Sequence, residues 1–265
     1  MTAGAARRGH RPVVLALSGL EPTGRAGLLA DLEAIRSAGG LPLGIATALT
    51  AQGARTFAVA SVPEHVIRDQ IQAANELEVI SAVKVGMVHQ AAALRLALRT
   101  VKTAGFWVID PVTRTSRGQR LSLLRPGDYL ATARPNVVLT PNLDEAAWLL
   151  RREIAARTAE AAAGMAERLA SYGFAAVIVK GGHLDGRAAD VIADRSGVRQ
   201  LSGARIGTGA FNARGTGCRF ASVLATALAR GETLDAAARE AKRRVRTYLR
   251  EASRLGRAEK ARAGR

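Results

Sequence analysis

Short apolar runs alternate with stretches of helical spacing along almost the whole chain. Pro12 to Ser18 (PVVLALS), Gly44 to Thr50, Phe57 to Val62, Ala82 to Val85, Phe106 to Ile109, Val137 to Leu139 and Ala175 to Val179 have the length and β-branched content of buried strands. Between them, apolar residues recur every three or four positions. This spacing predicts helices over 26–37, 63–77, 90–103, 142–151 and 158–172. In the second of these, Val66, Ile67, Ile71 and Ala74 share one face. Asp190 to Ala193 and Val198 to Leu201 read as a hairpin around Ser196-Gly197. Helices over 217–229 and 234–253 close the pattern. Strands alternating with helices predict an α/β fold, with a mainly parallel sheet covered on both faces and joined by right-handed crossovers. One domain over 12–255 is expected, between a basic tail at 1–11 and a basic, disordered tail at 256–265.

Composition sharpens this picture. Of 265 residues, 48% are apolar and only 4% aromatic, so Leu, Val, Ile and Ala must fill the core. A single cysteine excludes an internal disulfide framework and fits a reducing cytoplasm. No apolar run is long enough to span a membrane, and the start of the chain lacks a signal-peptide pattern. The net charge is +17, of which +8 falls in 242–265 and +3 on Arg7, Arg8 and Arg11. Such ends suit a polyanion, but few aromatics lie near them to stack bases, and nucleic-acid binding is disfavoured as the main role.

Candidate chemistry collects where strands end, which is where ligands bind in parallel sheets. The run Asn212-Ala213-Arg214-Gly215-Thr216-Gly217-Cys218 leads into a helix. Its glycines allow a tight turn, and a helix start offers unpaired N–H groups that suit an anion. A thiol in that first turn sits in a field that lowers its pKa; the alternative is an inert buried cysteine behind a glycine turn. Gly19 to Arg25 has P-loop spacing, but Arg25-Ala26 stands where the phosphate- and metal-binding residues belong. No dinucleotide-binding fingerprint follows a strand. Asp110 precedes Pro111 at a strand end and is either a turn residue or a carboxylate facing a ligand. Asn142 and Glu145 have the spacing of a capping box, and Glu145 is equally placed to hold Mg²⁺. Lys180-Gly181-Gly182-His183 ends another strand and suits a phosphate or a plain turn. Four scattered histidines show no zinc spacing.

Taken in order, these motifs resemble the hydroxymethylpyrimidine/phosphomethylpyrimidine kinases of thiamin biosynthesis, within the ribokinase-like superfamily. The resemblance rests on Ser18-Gly19, Ala26 to Asp31, Thr47 to Gln52, Lys84 to Met87, Asp110 to Val112, Leu139 to Ala146, Lys180 to Leu184 and Gly215 to Cys218. Pyridoxal kinases are the nearest alternative, and a catalytically weak pyrimidine-binding protein on the same fold is a further one. The resemblance implies a three-layer α/β/α sandwich and a cytoplasmic homodimer. It implies ATP- and Mg²⁺-dependent phosphorylation of 4-amino-5-hydroxymethyl-2-methylpyrimidine, with the monophosphate as a further acceptor. Carried over, Cys218 is the base, and Gly215, Thr216 and Gly217 frame the anion hole with it. Lys180, Gly182, Thr140 and Asn142 lie on the ATP side. Gly19, Gln52 and Met87 hold the pyrimidine, and Asp110 and Glu145 organise Mg²⁺.

The chain departs from the family pattern at several places. Glu21 stands for an aspartate and Arg25 for a glycine. Thr113 to Gly118 replaces a Met and Lys-Ser-Gly pattern, and Arg214 replaces a histidine. These changes bear on the identity of the substrate more than on ATP.

Overall fold

The structure, a computed structural model, describes residues 11–103, 105–154, 157–185, 189–206 and 214–263. The expected N-terminal tail, Arg11 excepted, and Asn212-Ala213 lie outside the described residues.

Nine strands form one sheet: β1 (Val13–Leu20), β2 (Leu41–Gln52), β3 (Phe57–Ser61), β4 (Ile80–Val85), β5 (Trp107–Ile109), β6 (Val137–Leu139), β7 (Ala176–Val179), β8 (Asp190–Asp194) and β9 (Gly197–Leu201). Their order across the sheet is β3-β2-β1-β4-β5-β6-β7-β8-β9. β2, β1, β4, β5, β6 and β7 pair in parallel. Antiparallel pairing is confined to the edges, between β3 and β2 and along β7-β8-β9.

The helices are α1 (Gly27–Ser37), α2 (Glu64–Leu77), α3 (Ala91–Thr100), α4 (Pro126–Leu130), α5 (Leu143–Leu149), α6 (Ala159–Ala170), α7 (Thr216–Ala229) and α8 (Leu234–Ala263). They cover both faces, as the alternation along β1 requires. Leu15 and Leu17 pack with α2, α3, α5 and α6 in one core layer. Val14 and Ala16 pack with α1, α7 and α8 in the other. All four are buried, and each fully buried Val or Leu side chain contributes about 1.5–3 kcal/mol. The expected α/β/α sandwich is therefore present.

Two elements differ from the sequence reading. α4 was not anticipated, because five residues are too few to show a helical period; it is marked by Pro126 at its start and by the Asp128 carboxylate accepting the Arg125 N–H at 2.8 Å. α8 runs to Ala263, past the point where a disordered tail was expected from residue 256. Apart from Gly256, that stretch is dominated by Ala, Arg, Glu and Lys, all strong helix formers.

Candidate active site

The carboxyl ends of the parallel strands open into a cavity of about 1180 Å³. Of the residues singled out from the sequence, Gly19, Gln52, Met87, Asp110, Asn142, Glu145, Lys180, Gly182, Gly215, Thr216, Gly217 and Cys218 all line it. Thr140 does not. It is fully buried, and both its amide and its hydroxyl return to the Ile109 carbonyl, at 2.9 and 3.3 Å. It closes the β5–β6 pair, while Asn142, two residues on, reaches the cavity. Thr140, expected on the ATP side, is thus set behind the cavity wall.

One wall is the start of α7. Gly215 caps the helix in the left-handed conformation, with φ 76°. A Cβ there would lie 2.2 Å from the Arg25 carbonyl oxygen, so only glycine fits. Beside it, a Cβ on Gly217 would lie 3.1 Å from Lys180 Nζ and 3.3 Å from Asp110 Oδ2. The first turn of α7, where amides lack intrahelical partners, thus closely approaches a lysine ammonium and a carboxylate that follow β7 and β5.

Around that ammonium the charges are tightly arranged. Lys180 Nζ donates to Asp110 Oδ1 at 2.5 Å and stands 3.9 Å from Glu145 Oε2. Glu145 also completes the capping box of α5: its amide donates to Asn142 Oδ1 at 2.8 Å, and its carboxylate accepts the Asn142 N–H at 2.7 Å. The capping role and the charged role therefore belong to the same side chain. Burial pushes the Glu145 carboxyl up to about 7; Lys180 pulls it down, and Asp110 and Asp144 add to the rise. Asp110 and Glu145 form an acidic pair without a third ligand, and no cluster of three or more His, Cys, Asp or Glu exists among the described residues. Two convergent carboxylates suit Mg²⁺, which takes few protein ligands and keeps waters or phosphate oxygens. Asp190, not anticipated as a site residue, fixes the adjoining turn: its carboxylate accepts the Gly181 N–H at 2.7 Å and the Lys242 ammonium at 2.8 Å.

The thiol of Cys218 behaves differently from the sequence expectation. Burial pushes it up to about 11; the Lys84 ammonium pulls it down, while Asp31 and Asp110 raise it further and a Gly27 N–H offsets part of the rise. Desolvation and two carboxylates outweigh the helix terminus, so the free protein holds the thiol protonated at neutral pH. Behind it lies a buried network that periodicity does not reveal. Lys84 Nζ meets Asp31 Oδ2 at 2.6 Å with both side chains fully enclosed. Ser222, one turn after Cys218 on α7, donates to the other Asp31 oxygen at 2.9 Å. Burial alone pulls the Lys84 pKa down, but Asp31, Cys218 and Asp110 together hold it above the usual lysine value.

Part of the cavity wall is apolar. Ala48, Met87 and Leu121 form a small cluster joined by Val59 and Val112. Gly19 leaves room for the Met87 sulfur, which would lie 2.7 Å from a Cβ there. Gln52 stands at the rim, its Nε2 donating to Thr50 Oγ1 at 3.1 Å and its Oε1 accepting from Arg214. Glu21 is nearly enclosed and ties the turn before α1 together, accepting from the Thr23 hydroxyl at 2.7 Å and from the Ala26 N–H at 2.9 Å. A flat ring fits against such a surface, with one polar amide at its edge.

Residues 21–262 match the model of the family described as phosphomethylpyrimidine kinase. The chain belongs to that family. Among its relatives, the hydroxymethylpyrimidine/phosphomethylpyrimidine kinase of Rhizobium meliloti is 35% identical over 252 residues, covering 92% of each chain. The thiamine biosynthesis multifunctional protein ThiED of Corynebacterium efficiens is 36% identical over 259 residues. That match covers 95% of this chain and 34% of the relative, so the chain spans about a third of the multifunctional protein's length. Among solved structures, the ADP complex of Bacillus subtilis pyridoxal kinase superposes with a TM-score of 0.77 at 25% identity, covering 88% of this chain and 90% of the other.

Proposed function

We propose that this protein transfers the terminal phosphoryl group of ATP to the hydroxymethyl oxygen of 4-amino-5-hydroxymethyl-2-methylpyrimidine, with the monophosphate as a second acceptor. The observation that carries this reading is the close approach of the first turn of α7 to the Lys180–Asp110 pair at the mouth of the sheet. Membership of the phosphomethylpyrimidine kinase family supports the choice of acceptor.

Phosphoryl transfer demands positioning and charge stabilisation more than covalent work by the protein. The apolar patch of Met87 and Leu121 holds the ring, and the Gln52 amide orients it by its polar edge. The N–H groups of Gly215 to Cys218 and the Lys180 ammonium face the charge that develops in transfer. Asp110 and Glu145 would hold Mg²⁺, and Gly182 and Asn142 border the nucleotide side. When bound, Mg²⁺–ATP would supply the transferable group. Lys84 and Lys180 favour the thiolate, and Cys218 accepts the hydroxyl proton. A positioned base typically adds ~10²–10⁴-fold, which leaves the larger share to the cradle. A homodimer working in the cytoplasm completes the reading, and sedimentation of the purified chain tests the dimer.

The direct test is incubation with ATP, Mg²⁺ and the pyrimidine alcohol, following ADP and phosphorylated pyrimidine. Product formation well above an enzyme-free blank is expected, and none above that blank rejects the function; turnover by Cys218→Ala equal to the wild type rejects Cys218 as the base. Likeness to a pyridoxal kinase favours a second reading, in which vitamin B6 alcohols are the acceptors. The same assay with those alcohols separates the two.

A further inference from the structure

Arg214 reaches the acceptor end of the cavity from the segment just ahead of α7. Its backbone carbonyl accepts from the Tyr248 hydroxyl of α8 at 2.9 Å. The Tyr248 ring in turn lies 4.0 Å beneath the Arg219 guanidinium, which donates to the Arg25 carbonyl at 2.9 Å and to Glu33 at 2.8 Å. The backbone of Arg214 is therefore anchored, while its side chain lines the cavity. Among the described residues, the guanidinium has one hydrogen-bond acceptor, Gln52 Oε1. The other end of the Gln52 amide is already given to Thr50 Oγ1. Each end of the side chain expected to read the ring thus already makes one hydrogen bond before a substrate arrives.

Two classes of acceptor face different costs at this latch. A neutral alcohol has to share or break the Arg214–Gln52 bond and offers the guanidinium no anion in return. A phosphorylated acceptor brings oxygens that match the guanidinium fork, forming charge-assisted bonds stronger than one to a neutral amide. Moving Arg214 onto that phosphate frees the Gln52 carbonyl for the ring. Glu21, the nearby carboxylate, has its oxygens engaged by Thr23 and Ala26 and so competes weakly for the guanidinium.

We propose that Arg214 is a specificity-determining residue that makes the phosphorylated pyrimidine a better acceptor than the neutral alcohol, by exchanging its Gln52 partner for the substrate phosphate. This rests on the phosphoryl-transfer reading above. The test compares kcat/KM for the pyrimidine monophosphate and the pyrimidine alcohol, at saturating Mg²⁺–ATP, in the wild type, Arg214→Gln and Arg214→His. Expected is a fall of at least about tenfold in the monophosphate-to-alcohol ratio for Arg214→Gln, the loss of one charge-assisted bond, with KM for ATP unchanged. Retention of the wild-type thermal midpoint shows that the backbone anchor to Tyr248 survives. A ratio that stays constant overturns the proposal. So does a rise in KM for ATP that is equal with both acceptors, because Arg214 would then serve the nucleotide. If the wild type turns over neither acceptor, the functional reading fails separately. Calorimetric titration of the pyrimidine monophosphate into wild type and Arg214→Gln then decides the role of Arg214, and equal affinities overturn it.

Discussion

Replacing Lys84 by methionine removes the cation paired with Asp31 while keeping the length of the side chain. The two groups meet at 2.6 Å with no solvent exposure on either side. Ser222 remains as a donor to Asp31 but brings no charge. Leaving one member of a buried pair without its partner costs about 3–5 kcal/mol. Against the roughly 5–15 kcal/mol that holds a typical domain together, this is a large fraction. At about 2–4 °C per kcal/mol for a chain near this size, the thermal midpoint falls by about 6–20 °C. Urea unfolding measures the loss directly, with an unchanged slope showing that the same surface is exposed. Lys84→Met combined with Asp31→Leu removes both charges and is expected to recover at least half of the loss, since apolar replacement of a buried pair is often neutral or stabilising. The same variants remove a charge that favours the Cys218 thiolate. A loss below about 1 kcal/mol in the single variant, or no recovery in the double, would refute the buried ion pair.

Three further outcomes are expected. In Gly215→Ala the new Cβ meets the Arg25 carbonyl and the left-handed φ becomes strained; kcat/KM falls by about 10²-fold or more from misplaced amides, and stability by about 1–3 kcal/mol, so near wild-type turnover would argue against the cradle. Glu145 titrates near 7 and must be ionised to hold Mg²⁺; apparent Mg²⁺ affinity is therefore constant above that pH and falls by up to about tenfold per unit below it, a dependence that Mg²⁺ activation curves should lose in Glu145→Gln. Alkylation of Cys218 by iodoacetamide in the free protein is slow at pH 7 and accelerates toward about pH 11; a midpoint at or below that of free cysteine contradicts the burial argument.

Much of the architecture is legible in the sequence because buried parallel strands are short continuous apolar runs, and VVL at 137–139 and AVIV at 176–179 leave little choice. Lys180 and Glu145 are legible for a related reason: each polar residue abuts an element end, where a ligand can reach it. Thr140 sits at a strand end as well, but its hydroxyl turns onto the Ile109 carbonyl of the neighbouring strand, which sequence position alone does not reveal. The Lys84–Asp31 pair leaves a trace in hindsight, a lysine inside the apolar run ISAVKV and an aspartate on the buried face of α1. Pairing them requires knowing that β4 lies beside β1 under α1 and α7, which no local pattern carries. The Cys218 thiol shows the same limit. The helix start is visible in the sequence, but the burial and the carboxylates of Asp31 and Asp110 that outweigh it come from distant segments. Arg214 and Gln52, 162 residues apart, meet only in the folded chain.

The most direct measurement is a crystal structure with a non-hydrolysable ATP analogue, Mg²⁺ and the pyrimidine alcohol. The account predicts the terminal phosphoryl oxygens within hydrogen-bonding distance of the amides of Gly215 to Cys218 and of Lys180, with the alcohol oxygen beside the Cys218 sulfur. A nucleotide whose terminal group lies away from the start of α7, or a pyrimidine bound away from Gln52 and Met87, would contradict it.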